Sequence, residues 1–195
     1  MFYGCSALKN IKSLENWNIS NEFKLNECPS SSDFILTPYN FSNMFSRCLL
    51  LSDISSLEKW NISNEFKLNE CPSTSDFILT TYNFSYLFCG CSSLSNIKSL
   101  EKWNVSNCNN FSFMFSGGSS LKDISSLEKW NVSNGNNFSS LFYYCSQLCD
   151  ISSLEKWNVS NGKDFSYMFS ECSSLKNIKP LKKWKISKSI LNNIK

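Results

Sequence analysis

Residues 172–187 read CSSLKNIKPLKKWKIS, and residues 145–160, 27 positions earlier, read CSQLCDISSLEKWNVS. The same phrase returns along the whole chain. Trp103, Trp130, Trp157 and Trp184 are spaced by 27 residues, whereas Trp17, Trp60 and Trp103 are spaced by 43, the same unit enlarged by 16. A fixed period of this length marks a repeat architecture whose units cannot bury an apolar face alone and must stack. Function in such arrays usually lies along the surface that the stacked units share.

Working outward, one unit runs Leu148, Ile151, Leu154, Trp157, Val159, Phe165, Met168, Phe169, Cys172, and Leu175 opens the next. Phe165, Met168, Phe169 and Cys172 fall at i, i+3, i+4 and i+7, which predicts a short helix. The residue before each such run is Asn40, Asn83, Asn110, Asn137 or Asp164, and both Asn and Asp are strong N-caps. A second segment, SSLEKW, carries Ser125/Glu128, Ser55/Glu58 and Ser152/Glu155 at capping-box spacing; with Pro180 in the last unit it predicts a helical turn at Leu154–Trp157. Either Leu-x-x-Ile (Leu121 and Ile124) or Trp-Asn-Val supplies the short strand of each coil, and the pattern leaves both open.

These features predict an α/β repeat solenoid of coils of about 27 residues, each with a short helix, a helical turn and a short strand. Residues 1–195 form a single array, with near-identical insertions at 22–37 and 65–80 and a basic tail at 186–195. The stretches 21–42 and 64–85 differ only at Ser31/Thr74 and Pro38/Thr81, as a recent duplication of a 43-residue block would leave them. Each insertion reads as a hairpin or as a loose loop. Met1-Phe2 falls on the Met-Phe of later units, so the chain opens inside a repeat, as a fragment or an array that borrows its cap would.

The columns FSxMFxxCSSLxxI and WNVSN, at Phe84–Ile97 with Trp103–Asn107 and again at Phe165–Ile178, resemble the BspA-like leucine-rich repeat family of surface proteins. The resemblance covers nearly everything but the insertions and the last ten residues, and the Met-Phe-x-x-Cys-Ser-x-Leu string is specific. This chain departs in its 27-residue unit, with Leu87 and Leu141 for Met and Gly118 for Cys. The family implies a leucine-rich-repeat solenoid without catalysis that acts in adhesion or protein binding at a cell surface or after secretion. No signal peptide is legible at the start of this chain.

Composition limits the chemistry. There is no histidine among 195 residues, which removes the commonest general base and any Ser-His or Cys-His pair. No cofactor and no metal site are expected, since Cys89-x-Cys91 and Cys145-x-x-x-Cys149 lack zinc-knuckle spacing. Cys5, Cys48, Cys91, Cys145 and Cys172 share one column and read as a reduced, buried thiol row, with some disulfides as the alternative in a secreted protein. Glu58, Glu101, Glu128 and Glu155 beside Lys59, Lys102, Lys129 and Lys156 read as a solvated face. Nine Asn-x-Ser sequons, at Asn18, Asn40, Asn61, Asn83, Asn104, Asn110, Asn131, Asn137 and Asn158, read as structural asparagines, with glycosylation open.

Residues 175–195 hold seven lysines and no acid, and read as a solvated, solubilising end rather than a nucleic-acid motif. No apolar run is long enough for a transmembrane helix. The expected function is therefore a non-catalytic scaffold for a protein or cell-surface ligand, with no nucleic acid and no transmembrane segment. Its contacts are placed at the polar positions inside Leu-x-x-Ile: Asp53, Asn96, Asp123, Asp150 and Asn177. The alternative is a structural segment of a longer array with no partner of its own.

Overall fold

The computed structural model describes residues 2–16, 40–60, 62 and 82–194. The insertions at 22–37 and 65–80, and with them the hairpin reading, lie outside the described residues. Short 3₁₀ helices recur at Lys12–Leu14, Ser55–Lys59, Lys98–Leu100, Ser125–Leu127, Ser152–Leu154 and Lys179–Lys183. Strands β1 (Tyr82–Asn83) and β2 (Cys108–Asn110) pair in parallel, and α1 (Lys188–Asn192) follows the last 3₁₀ helix.

Each 3₁₀ helix has a local cause. The Asp123 Oδ1 accepts the Ser125 N–H at 2.8 Å, an Asx turn that starts the chain curling. Leu127 N–H then donates to the Ile124 carbonyl at 3.0 Å and Trp130 N–H to Leu127 at 3.1 Å. Leu121, Ile124, Leu127 and Trp130 recur every third residue and are all buried, so a three-residue turn puts each of them inside.

The FSxMFxxC stretch is not the predicted helix. It is a ribbon of successive turns in which alternate N–H groups go to different places. Met114, Ser116 and Gly118 donate back to Phe111, Phe113 and Phe115, while Phe111, Phe113, Phe115 and Gly117 donate to Asn137, Ser139, Leu141 and Tyr143 of the next unit, all at 2.7–3.2 Å. In an α-helix every one of these donors would turn back within its own segment. Here half of them stitch one unit to the next. The i, i+3, i+4, i+7 burial survives, because two consecutive turns place the same four side chains inward.

The strand also lies elsewhere than expected. Parallel pairing runs through the Asn/Asp column itself, as Asn40↔Asn83, Asn110↔Asn137 and Asn137↔Asp164, with an isolated bridge Asn10↔Asp53 inside Leu-x-x-Ile. Trp-Asn-Val is bent by its own asparagine, since Asn104 Oδ1 accepts the Ser106 N–H at 3.2 Å. The capping boxes do not form either. No serine side chain caps these helices: the aspartate two residues earlier starts each turn by accepting the serine N–H, and each glutamate reaches across to a lysine of the neighbouring unit.

Units separated by 27 residues and units separated by 43 make the same contacts. Phe45 N–H donates to Leu87 at 3.0 Å, as Phe115 does to Leu141 at 3.0 Å. The core is a set of side-chain columns. Phe2, Phe45, Phe88, Phe115, Phe142 and Phe169 stack in sequence with ring centroids 5.5–5.9 Å apart and planes within 10° of parallel, an arrangement that adds to simple area burial. Trp60, Trp103, Trp130, Trp157 and Trp184 each donate Nε1–H to a leucine carbonyl of the preceding unit at 2.9–3.0 Å. The buried indole thus finds its partner between units rather than within one.

The basic tail is packed rather than free. Ile194 is fully buried and its carbonyl accepts the Phe169 N–H at 2.9 Å, while Asn193 accepts from Tyr167 at 2.9 Å. Residues 193–194 therefore take the place that a following ribbon would take, so apolar burial and otherwise orphaned donors outweigh the solvation of the lysines beside them.

Candidate functional site

Asp53, Asn96, Asp123, Asp150 and Asn177 share one position, immediately ahead of successive 3₁₀ helices. Each Oδ1 accepts the N–H two residues on, at 3.0, 2.9, 2.8, 2.9 and 3.1 Å respectively. The Ser55 hydroxyl and then its N–H hold the Asp53 carboxyl below its ordinary value; for Asp123 the Ser125 N–H leads and its hydroxyl follows. Asp53 is half-buried and the other four are exposed. They form a row along one face, with shallow grooves between units; one is lined by Asp53, Glu58, Asn96, Lys98 and Lys102. All five side chains are thus committed to shaping the chain while keeping a solvent-facing side.

On the same face Lys59, Lys102, Lys129, Lys156 and Lys183 pair with Glu15, Glu58, Glu101, Glu128 and Glu155 of the preceding unit. The row is exposed. Contact with Lys102 and Lys156 lowers the Glu58 and Glu128 carboxyls from their ordinary value. The described sequons carry structural work: the side-chain oxygens of Asn40, Asn83, Asn104, Asn110, Asn131, Asn137 and Asn158 each accept the N–H of the serine two residues on. The thiols of Cys48, Cys91, Cys145 and Cys172 donate to phenylalanine carbonyls of the preceding unit at 3.0–3.2 Å. Burial raises the Cys91 and Cys145 thiols far above their ordinary range. Cys5 departs from the row by being exposed.

The opposite kind of surface lies on the turn ribbon, and sequence reasoning missed it. Among the described residues the exposed large apolar and aromatic ones are Tyr3, Leu49, Leu50, Tyr143, Tyr144 and Tyr167, all on ribbons or the residues just after them. Two ribbon columns hold positive φ: Asn43, Tyr86, Phe113, Ser140 and Tyr167 in one, and Gly4, Arg47, Gly90, Gly117, Tyr144 and Glu171 in the other. A bulky residue at φ near +60° is strained, and glycine or asparagine would sit there at less cost. Tyr86 and Phe113 stack at 4.5 Å, and the Arg47 guanidinium lies 5.8 Å from the Tyr3 ring centre. The legible signal was glycine recurring in one column, which advertises a left-handed backbone.

With this geometry in place, comparison with known proteins decides the family. Residues 82–193 match the family described as Mycoplasma protein of unknown function, DUF285. The chain belongs to it. The DUF285 match starts at β1, passes through all four 27-spaced tryptophans and ends beside the buried Ile194. Among solved structures, the chain is similar to a leucine rich cell surface protein from Faecalibacterium prausnitzii A2-165, at 20% identity with a TM-score of 0.28, over 78% of this chain and 47% of that one. This chain thus spans about half the length of that protein. A comparison with curated proteins gives no match. Among the described residues no helix is long and apolar enough to cross a membrane.

Proposed function

We propose that this DUF285 chain is a non-catalytic solenoid of leucine-rich-repeat character, akin to the BspA-like surface proteins, that holds a protein or cell-surface ligand along its turn-ribbon edge. One observation carries the reading: Tyr144 and Tyr167 stand exposed at positive φ, the region bulky side chains rarely occupy. The inter-unit hydrogen bonds of the ribbon impose that backbone on every unit, but they do not require a tyrosine where glycine or asparagine would sit at less cost, and that choice points to a functional constraint. Tyrosine is also the side chain that gives rigid, amphipathic contact area at low entropic cost. The Asp53, Asn96, Asp123, Asp150 and Asn177 row then acts as the frame, with any direct contact secondary.

The test is saturable binding of the labelled chain to intact cells and to a panel of purified cell-surface proteins. Replacing Tyr143, Tyr144 and Tyr167 by Asn is expected to weaken binding at least tenfold, whereas Asp123→Asn and Asp150→Asn, which keep the Asx oxygen, are expected to change it little. The second reading, a structural segment of a longer array, draws on the number of columns already engaged between units. Absence of saturable binding across the panel would favour it.

A further inference from the structure

The last repeat departs from the charge pattern of the units before it at two columns. Where earlier units place Glu15, Glu58, Glu101, Glu128 and Glu155 it has Lys182, and where they place Asn18, Asn61, Asn104, Asn131 and Asn158 it has Lys185, whereas Lys179 and Asn177 repeat the Lys98 and Asn96 of an earlier unit. An acid is lost and two lysines are gained, beside a third at Lys179. Lys183 is neutralised by Glu155, but among the described residues no ion pair engages Lys176, Lys179, Lys182, Lys185 or Lys188. All five are exposed.

These lysines are also held in place. Lys179 and Lys182 stand on a 3₁₀ helix, Lys188 opens α1, and buried Leu181, Trp184 and Ile194 fasten the backbone between them. Ile186, Ile190 and Leu191 are only partly buried against the core, which places apolar surface beside Lys185 and Lys188. A solubilising tail needs neither anchorage nor an apolar neighbour.

We propose that this C-terminal unit is a docking surface for an anionic lipid bilayer. Basic side chains flanking partly exposed aliphatic ones suit the interface between headgroups and acyl chains. Trp184, the aromatic residue between Lys182 and Lys185, is buried and offers no face on which to stack a base, the feature that single-stranded nucleic acid would use. Lys179, Lys182 and Lys188 stand on the last 3₁₀ helix and α1, whereas the exposed tyrosines lie on the ribbons, Tyr167 meeting this unit through its N–H to the Asn193 carbonyl.

The test is co-sedimentation of the full chain with vesicles of phosphatidylcholine containing about a third phosphatidylserine, against pure phosphatidylcholine, at low and high salt. A variant carrying Lys179→Ser, Lys182→Glu and Lys185→Asn restores the residues that earlier units tolerate, and its thermal melt verifies folding. Binding to the anionic vesicles, screened by salt and reduced at least tenfold in the variant, supports the proposal. It is overturned by equal binding to both vesicle types, by unchanged binding of the folded variant, or by tighter binding to a 20-mer oligonucleotide than to the vesicles.

Discussion

Tyr167 sits at φ 57° with 60% of its surface exposed, so strain and contact oppose one another in a single side chain. Tyr167→Asn is expected to leave stability unchanged or raise it by up to about 1 kcal/mol, because Asn tolerates the left-handed region, while weakening ligand binding; denaturant unfolding beside the binding assay checks both. Gly162 is constrained by contact, not by φ. A Cβ there would lie 2.2 Å from the Phe165 ring, so Gly162→Ala is expected to cost about 1–3 kcal/mol by forcing a buried ring aside. Trp130→Phe removes the indole donor to Leu100, whose carbonyl keeps the Trp103 N–H at 3.1 Å, so the lost hydrogen bond is expected to cost about 0.5–1.5 kcal/mol by urea midpoint. None of these inter-unit roles for tryptophan was legible in the sequence, since spacing tells which residues recur but not to whom an indole N–H points.

At the scale of elements, the ribbon shows where sequence reading is ambiguous. Phe165, Met168, Phe169 and Cys172 are buried as a helix would bury them, and Asp164 does accept a backbone N–H, at 2.9 Å from Ser166. The periodicity and the Asn/Asp column predict a capped helix, and that expectation is wrong: the burial pattern and the turn-starting oxygen are shared with a helix, but the donors that follow go to the next unit. The helical turn predicted from SSLEKW is present as a 3₁₀ helix at Ser125–Leu127 and Ser152–Leu154, and the three-residue spacing of Leu121, Ile124, Leu127 and Trp130 buries one side of that stretch. The thiol row makes an element-scale prediction. Burial raises the pKa of Cys48, Cys91 and Cys145 above the ordinary 9.0, so the folded chain keeps these protons after the unfolded chain has released them. Their contribution is complete below about pH 9 and is lost as pH rises above it, by up to about 1.4 kcal/mol per pH unit for each thiol. Denaturant midpoints measured from pH 7 to 10.5 check the slope, and Ser at Cys91 and Cys145 is expected to flatten it.

Across the whole molecule, stability rests on contacts between neighbouring units, so the ends matter out of proportion to their length. Removing residues 187–195 would uncover the Tyr167 and Phe169 donors and the surface that Ile194 covers. That truncation is expected to lower the melting temperature and promote self-association, read by thermal circular dichroism and light scattering. Ile194→Ala alone is expected to cost about 2–4 kcal/mol, as a large-to-small change at a fully buried site does.

The period, the inward columns, the turn-forming Asn and Asp positions and the exposed Glu-Lys row were determined by the sequence itself, because recurrence and polarity are properties of single residues and their spacing. Tertiary structure alone decided the turn ribbon, the tryptophan and thiol bonds, the packed tail and the strained tyrosine edge. Each of those depends on where a donor or a ring finds its partner, and here that partner stands one repeat away in the chain.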